Sequence, residues 1–95
     1  MSDFRRPHPL LVTLNKRRFD RLLIDPHYEE KHPDMTDEII IELVKQLNET
    51  ESEPVSVSDG FTYLACEIVW QGKPYRIVLT YCEESFLGVI NAFRV

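Results

Sequence analysis

Two runs of alternating apolar residues, Phe61 to Trp70 and Tyr75 to Cys82, flank Gln71-Gly72-Lys73-Pro74, and this arrangement restricts the fold more tightly than any other feature of the chain. Such runs around a glycine-containing turn predict an antiparallel hairpin. With Gly72-Lys73 as a two-residue turn, Trp70 lies across from Tyr75, Ile68 from Ile77, Cys66 from Leu79 and Leu64 from Tyr81. All these side chains are largely apolar, and a one-residue slip would turn them to the other face. Phe86 to Val95 reads as the next strand. A turn centred on Glu83-Glu84 puts Phe86, Gly88, Ile90 and Ala92 on the same apolar face. The opposite face then carries Tyr63, Glu67, Arg76, Thr80, Asn91 and Phe93, with Arg76 across from Asn91. Before the hairpin, Val55 and Val57 alternate with serines and lead into an Asp59-Gly60 turn.

A helix is predicted over about 36–48. Thr36 is a good N-cap, and Asp37 and Glu38 complement the positive end of the helix dipole. Met35 and Ile40 occupy the two positions of a hydrophobic staple. Ile39, Ile40, Leu43, Val44 and Leu47 form one apolar stripe at helical spacing. Upstream, Leu10 to Leu14 has strand character. Arg17 to Ile24 places Phe19, Leu22 and Leu23 at i, i+3 and i+4, which predicts a short helix ended by Pro26. His27 to His32 forms a further turn closed by Pro33. Residues 1–9, with Pro7 and Pro9, read as a loose arm. The expected architecture is therefore α+β. One main helix packs on a three- to four-stranded antiparallel meander, after a short helical or irregular N-terminal segment. Residues 1–95 form a single domain.

A chain of 95 residues buries roughly 60–70% of its unfolded surface, enough for one modest core. No apolar run approaches the ~20 residues of a membrane span. The first residues lack the apolar stretch of a signal peptide. Cys66 and Cys82 match neither a metal-ligand spacing nor a disulfide scaffold. These features point to a reduced, cytoplasmic protein without membrane contact. Charge is uneven: residues 1–32 carry seven Lys/Arg and five Asp/Glu, whereas 33–95 carry four and eleven. A net charge of −5 opposes broad attraction to nucleic acid but permits a local basic patch. The acidic stretch 34–53 suits a basic protein partner.

Several residues have the chemistry that RNA cleavage without a metal requires. One group must take the 2′-hydroxyl proton, another must protonate the leaving oxygen, and a cation must stabilise the phosphorane. His32 exchanges protons near neutral pH, and His27, Tyr28, Lys31, Arg76 and Arg94 supply the remaining types. The competing reading is a surface His-Pro turn and arginines that solvate strands. Asn91 and Arg94 near the C-terminus suit phosphate or base contact, or the capping of edge backbone groups. His8, His27 and His32, spaced nineteen and five apart, match no standard metal pattern. No glycine-rich phosphate loop is present, so neither a metal nor an organic cofactor is expected.

In element order and residue type the chain resembles the barnase–EndoU–colicin–RelE group of small RNase-like toxins. The resemblance spans about residues 19–95 and rests on His27 and Lys31-His32 leading into helix 36–48, then a meander ending at Asn91 and Arg94. It implies a helix on a curved antiparallel sheet and an RNA-cleaving site lined from both. Carried onto this chain, the site comprises His32, Arg76, Asn91 and Arg94, with Lys31, Tyr28, His27, Thr80 and Tyr81 nearby. The chain departs from the group in being acidic. Two functions follow as expectations: a metal-independent endoribonuclease of toxin type acting on RNA, or a non-enzymatic antitoxin, immunity protein or small regulator using the 34–53 surface.

Overall fold

The computed structural model describes residues 6–83 and 85–95. Six strands and two helices follow in the order β1 (Arg6–Leu14), β2 (Arg17–Ile24), α1 (Tyr28–Lys31), α2 (Asp37–Gln46), β3 (Ser56–Ser58), β4 (Phe61–Trp70), β5 (Lys73–Tyr81) and β6 (Phe86–Arg94). The strands form one sheet in the order β1-β2-β6-β5-β4-β3. Neighbours are antiparallel except β2 and β6, which run parallel. The expected main helix on a three- to four-stranded antiparallel meander is therefore corrected: the sheet is larger, mixed, and predominates over two short helices.

The N-terminal third accounts for the difference. Residues 6–9, expected in a loose arm, belong to β1; residues 1–5 lie outside the described residues. Pro7 and Pro9 are tolerated because β1 is an edge strand, where alternate backbone nitrogens face outward and need not donate. Arg17 to Ile24, expected as a helix, is β2. Phe19 and Leu22 are both fully buried despite their helical spacing, because the β1/β2 ladder shifts register between Pro9 and Val12.

Three tight turns set the registers. Asn15-Lys16, Asp59-Gly60 and Gln71-Gly72 each place two successive residues at positive φ, the signature of the hairpin turn that matches strand twist. The turn after β4 is thus Gln71-Gly72, with Trp70 opposite Lys73, and not Gly72-Lys73. The ladder is displaced by two residues from expectation: Ile68 meets Tyr75, Cys66 meets Ile77, and Leu64 meets Leu79. A shift of two preserves the faces, so Leu64, Cys66, Ile68, Ile77 and Leu79 are still buried together. Trp70 is only partly buried and packs at their margin.

The β5/β6 ladder breaks between Val78 and Leu79. Ala92 faces the core as expected, but beyond the break Leu87 and Val89 are buried instead of Phe86 and Ile90. The irregularity inserts one residue and reverses the alternation. Gly88 pairs with Thr80, and Arg76 pairs with Phe93, not with Asn91. Glu84 of the intervening turn lies outside the described residues.

The helices cover one face of the sheet. The Thr36 hydroxyl accepts the Ile39 N–H at 3.1 Å, the expected cap. Met35, Ile40, Leu43, Val44 and Leu47 are buried against Leu14, Phe19, Leu22, Leu64 and Ile77. The Asn15 side chain pins the loop after α2, donating to the Ser52 carbonyl and accepting the Ser52 N–H. Among the described residues no helix is long and apolar enough to cross a membrane.

Candidate functional site

Strand alternation leaves the second sheet face free of helices. Phe61, Tyr63 and Glu67 of β4, Arg76 and Thr80 of β5, and Gly88 and Phe93 of β6 belong to this face by their ladder pairings. Two features stand out on it.

The first lies at the end of β6. β2 pairs with β6 only as far as Ile24 and Val89, so β6 continues beyond the end of β2. There α1 packs beside β6 and brings His32, its C-cap, onto Phe93. The two rings stack with centroids 5.0 Å apart and planes 21° from parallel. Arg76 is the ladder partner of Phe93, and Arg94 follows it in sequence. His32 is half-buried and Arg94 exposed. The Arg76 guanidinium pairs with Glu67 on the neighbouring strand. Asn91 lies two residues before Phe93, its side-chain oxygen accepting the Ala92 N–H at 3.0 Å. An imidazole, an aromatic ring and the Arg76 guanidinium thus share one face at this strand end, whereas Arg94 pairs with Tyr75 and belongs by alternation to the opposite face.

The second is a cavity of about 440 Å³ walled by Leu23, Phe61, Tyr63, Phe86 and Ile90, with Asp25 contributing to the lining. Gly88 and Thr80 also line it. A Cβ at Gly88 would come within 3.1 Å of the Thr80 methyl group, so only glycine fits between the strands without displacement. The Thr80 hydroxyl is buried and has no hydrogen-bond partner among the described residues. One Asp25 oxygen accepts the His27 N–H at 2.9 Å. Arg21, across from Phe86 on the ladder, holds its guanidinium 5.9 Å from the centre of that ring.

No family model, curated protein or solved structure matches this chain.

A third cluster lies on the helix side, at the start of α2. Arg6 donates to both Asp37 oxygens, at 2.7 and 2.8 Å. The Tyr28 hydroxyl donates to one of them at 2.6 Å, and a His8 ring nitrogen lies 3.1 Å from the other. The Arg6 bonds hold the Asp37 carboxyl well below the usual carboxylate range, with Tyr28 and His8 adding to the effect against the opposing influence of burial. Burial first, and the bond to Asp37 second, push the Tyr28 hydroxyl well above its ordinary value. Arg6, Tyr28 and His8 all converge on the Asp37 carboxylate. The cluster fastens an edge strand to a helix.

The sequence-derived candidates separate accordingly. His32 and Arg76 flank Phe93, Asn91 lies on the same face two residues earlier, and Thr80 lies further along that face, in the cavity; Arg94, the ladder partner of the core-facing Tyr75, points to the opposite face and does not join them. Tyr28 does not fit a substrate-binding role, because it is buried with its hydroxyl committed to Asp37. His27 and Lys31 are exposed on α1, and the His27 ring lies 3.7 Å from Glu30. His8, His27 and His32 each have a different neighbour. Among the described residues no group of three or more His, Cys, Asp or Glu side chains is placed to hold a metal ion. Sequence reasoning missed Asp25, Phe61 and Phe86 in the cavity wall. The signal for Phe61 was present: it shares strand parity with Tyr63.

Proposed function

We propose that the helix-free sheet face binds single-stranded RNA and that His32 promotes its metal-independent cleavage, as in a toxin-type endoribonuclease. One observation carries this reading: His32 stacks on Phe93, whose ladder partner is Arg76. Proton transfer and charge stabilisation must act on one phosphate, so the responsible groups must converge. His32 takes the proton of the 2′-hydroxyl as that oxygen forms its bond to phosphorus. The bond from phosphorus to the 5′-oxygen breaks, and the leaving oxygen takes a proton from solvent. Arg76 stabilises the charge on the phosphorane oxygens. Phe93 holds the imidazole in place.

Purified protein should cut single-stranded RNA in the presence of a chelator. Substrate with a 2′-deoxy sugar at the cut site should resist. His32→Ala should lose about 10²-fold or more of the rate, the usual contribution of a positioned proton-transfer group. Intact RNA, or full activity in His32→Ala, would refute catalysis.

A second reading draws on the acidic stretch. Asp34, Glu38, Glu49, Glu51 and Glu53 are exposed, whereas Asp37 is taken up by Arg6. The exposed carboxylates offer a surface for a basic protein, as in an antitoxin, immunity protein or regulator. Intact RNA together with partner binding abolished by Glu49→Lys and Glu51→Lys would favour this function.

A further inference from the structure

The two edges of the sheet are finished differently. Along β1, Pro7 and Pro9 occupy the outer strand, and the loop after α2 covers its far end. There the Glu49 N–H donates to the Thr13 carbonyl and the Asn15 N–H to that of Thr50. The opposite edge is closed only in part. β3 pairs with Phe61 to Tyr63, although β4 runs on to Trp70. The Tyr63 carbonyl accepts the Val55 N–H at 2.8 Å, so the backbone of Tyr63 faces outward. By alternation the N–H and carbonyl groups of Ala65, Glu67 and Val69 face the same way. Among the described residues these groups have no backbone partner, and all three residues are exposed. A row of unpaired backbone groups is a template for another strand, which proteins commonly block with a proline or a bulge. Residues 65–69 have neither.

Beside this edge runs a groove of about 460 Å³. The end of α2 and the loop after it contribute Leu47 and Glu51, and β4 contributes Cys66, Glu67 and Ile68. We propose that an extended basic segment of a partner protein adds to the sheet here, antiparallel to Ala65–Val69 and in line with β3. Its backbone takes up the free N–H and carbonyl groups. Its side chains alternate between the two sheet faces, apolar ones beside Leu47 and Ile68, basic ones beside Glu67. Charge selects the partner. Glu51 and Glu67 line the groove, and Glu49 and Glu53 are exposed on the adjoining loop. Arg76 engages Glu67, and a lysine of the added strand would share that carboxylate. A second copy does not fit. Two-fold pairing centred on Glu67 sets this residue opposite its own equivalent, a like-charge pair that opposes association, and each chain carries −5. The basic character of the partner rests on the protein-binding reading of the acidic stretch; strand addition rests on the open edge.

The test is titration of the full chain with a short synthetic peptide of alternating valine and lysine, followed by amide chemical shifts and hydrogen exchange. One control peptide has glutamate in place of lysine. Another keeps the valine–lysine sequence but is N-methylated at the backbone of its lysines, the residues that pair directly with Ala65, Glu67 and Val69. The valine–lysine peptide should saturate, with the largest shifts at those three residues and slowed exchange of their amides. The N-methylated peptide should bind about tenfold or more weaker through lost backbone hydrogen bonds, and the glutamate peptide should not saturate. Val69→Pro removes an outward donor without touching the ladder to β5, since edge positions tolerate proline. It should also weaken the valine–lysine peptide; if the variant does not fold, the N-methylated peptide decides on the native chain. Equal binding of the N-methylated peptide, with shifts confined to Glu49, Glu51 and Glu53, would overturn strand addition and leave the protein-binding reading standing. Equal binding of the glutamate peptide would overturn the basic partner. Self-association that protects the Ala65, Glu67 and Val69 amides would overturn the proposal in favour of a second copy, and absence of saturable binding would overturn it outright.

Discussion

The His32 imidazole lies on the ring of Phe93, 5.0 Å between centroids, so a residue from the end of a short helix is held in place by the penultimate residue of a strand. Ring pairs of this kind contribute about 0.5–1.5 kcal/mol beyond the area they bury. A double-mutant cycle with His32→Ala and Phe93→Leu, read by urea denaturation, should give a coupling in that range. Additive losses would mean that the two rings do not support each other in solution.

Arg76 is held by Glu67, and a phosphate must compete with that carboxylate. Removing the competitor should help binding. Exposed ion pairs are worth about 0.2–1 kcal/mol, so Glu67→Gln should tighten single-stranded RNA binding by about two- to fivefold. Fluorescence anisotropy at fixed salt would measure it. Weaker binding would show that Glu67 positions Arg76 productively instead of restraining it.

Asp37 and Tyr28 give the fold a stability window in pH. Asp37 is held below its ordinary value, chiefly by Arg6. Its contribution is complete above the unfolded value of about 4 and is lost as pH falls below it. Tyr28 is held above its ordinary value, chiefly by burial. Its contribution is complete below about pH 10 and is lost as pH rises beyond. Asp37→Ala should lower the plateau by about 1.5–3 kcal/mol, the usual worth of hydrogen bonds to a charged group, and flatten the acid limb. Urea midpoints across the pH range would show both effects, and an unchanged acid limb would contradict the assignment.

Gln71 and Gly72 both have positive φ, at 53° and 76°, in a turn whose favoured sequence is Asn-Gly. Asparagine tolerates the left-handed region better than glutamine. Gln71→Asn should therefore stabilise the protein by about 0.5 kcal/mol or more, read as a higher melting temperature. A lower one would mean that the Gln71 side chain contributes a contact outweighing backbone preference.

The helix from Thr36 was legible because three independent signals coincide there: a capping hydroxyl, first-turn acids and an apolar stripe. The faces of β4 and β5 were legible because period-two alternation survives a two-residue error in register. The same insensitivity hid that error, since apolar residues still met apolar residues. β2 was misread because its ladder irregularity places Phe19 and Leu22 in the core three residues apart, a spacing that also suits a helix. β6 was half legible: its break at Ile90, between Val89 and Asn91, leaves no mark in the sequence, so Ile90 and Phe86 were assigned to the wrong face. Arg6 and His8 alternate at strand spacing, but only their distant partner Asp37 gives that spacing a purpose. Residue types marked His32, Arg76 and Arg94 as candidates, but alternation sends Arg94 to the opposite face from Phe93. That His32 reaches Phe93 depends on β2 ending early, which no local pattern announces.

β6 lies third in the sheet although it is the last strand in chain order. During synthesis, β1 and β2 can pair as soon as they emerge, and β3 to β5 can form their own meander. Neither piece touches the other through backbone hydrogen bonds until β6 enters between them. Gly88, Phe93 and Arg94 all reside on that strand. The surface proposed to act on RNA therefore forms only when β6 joins two pieces that can each pair without it.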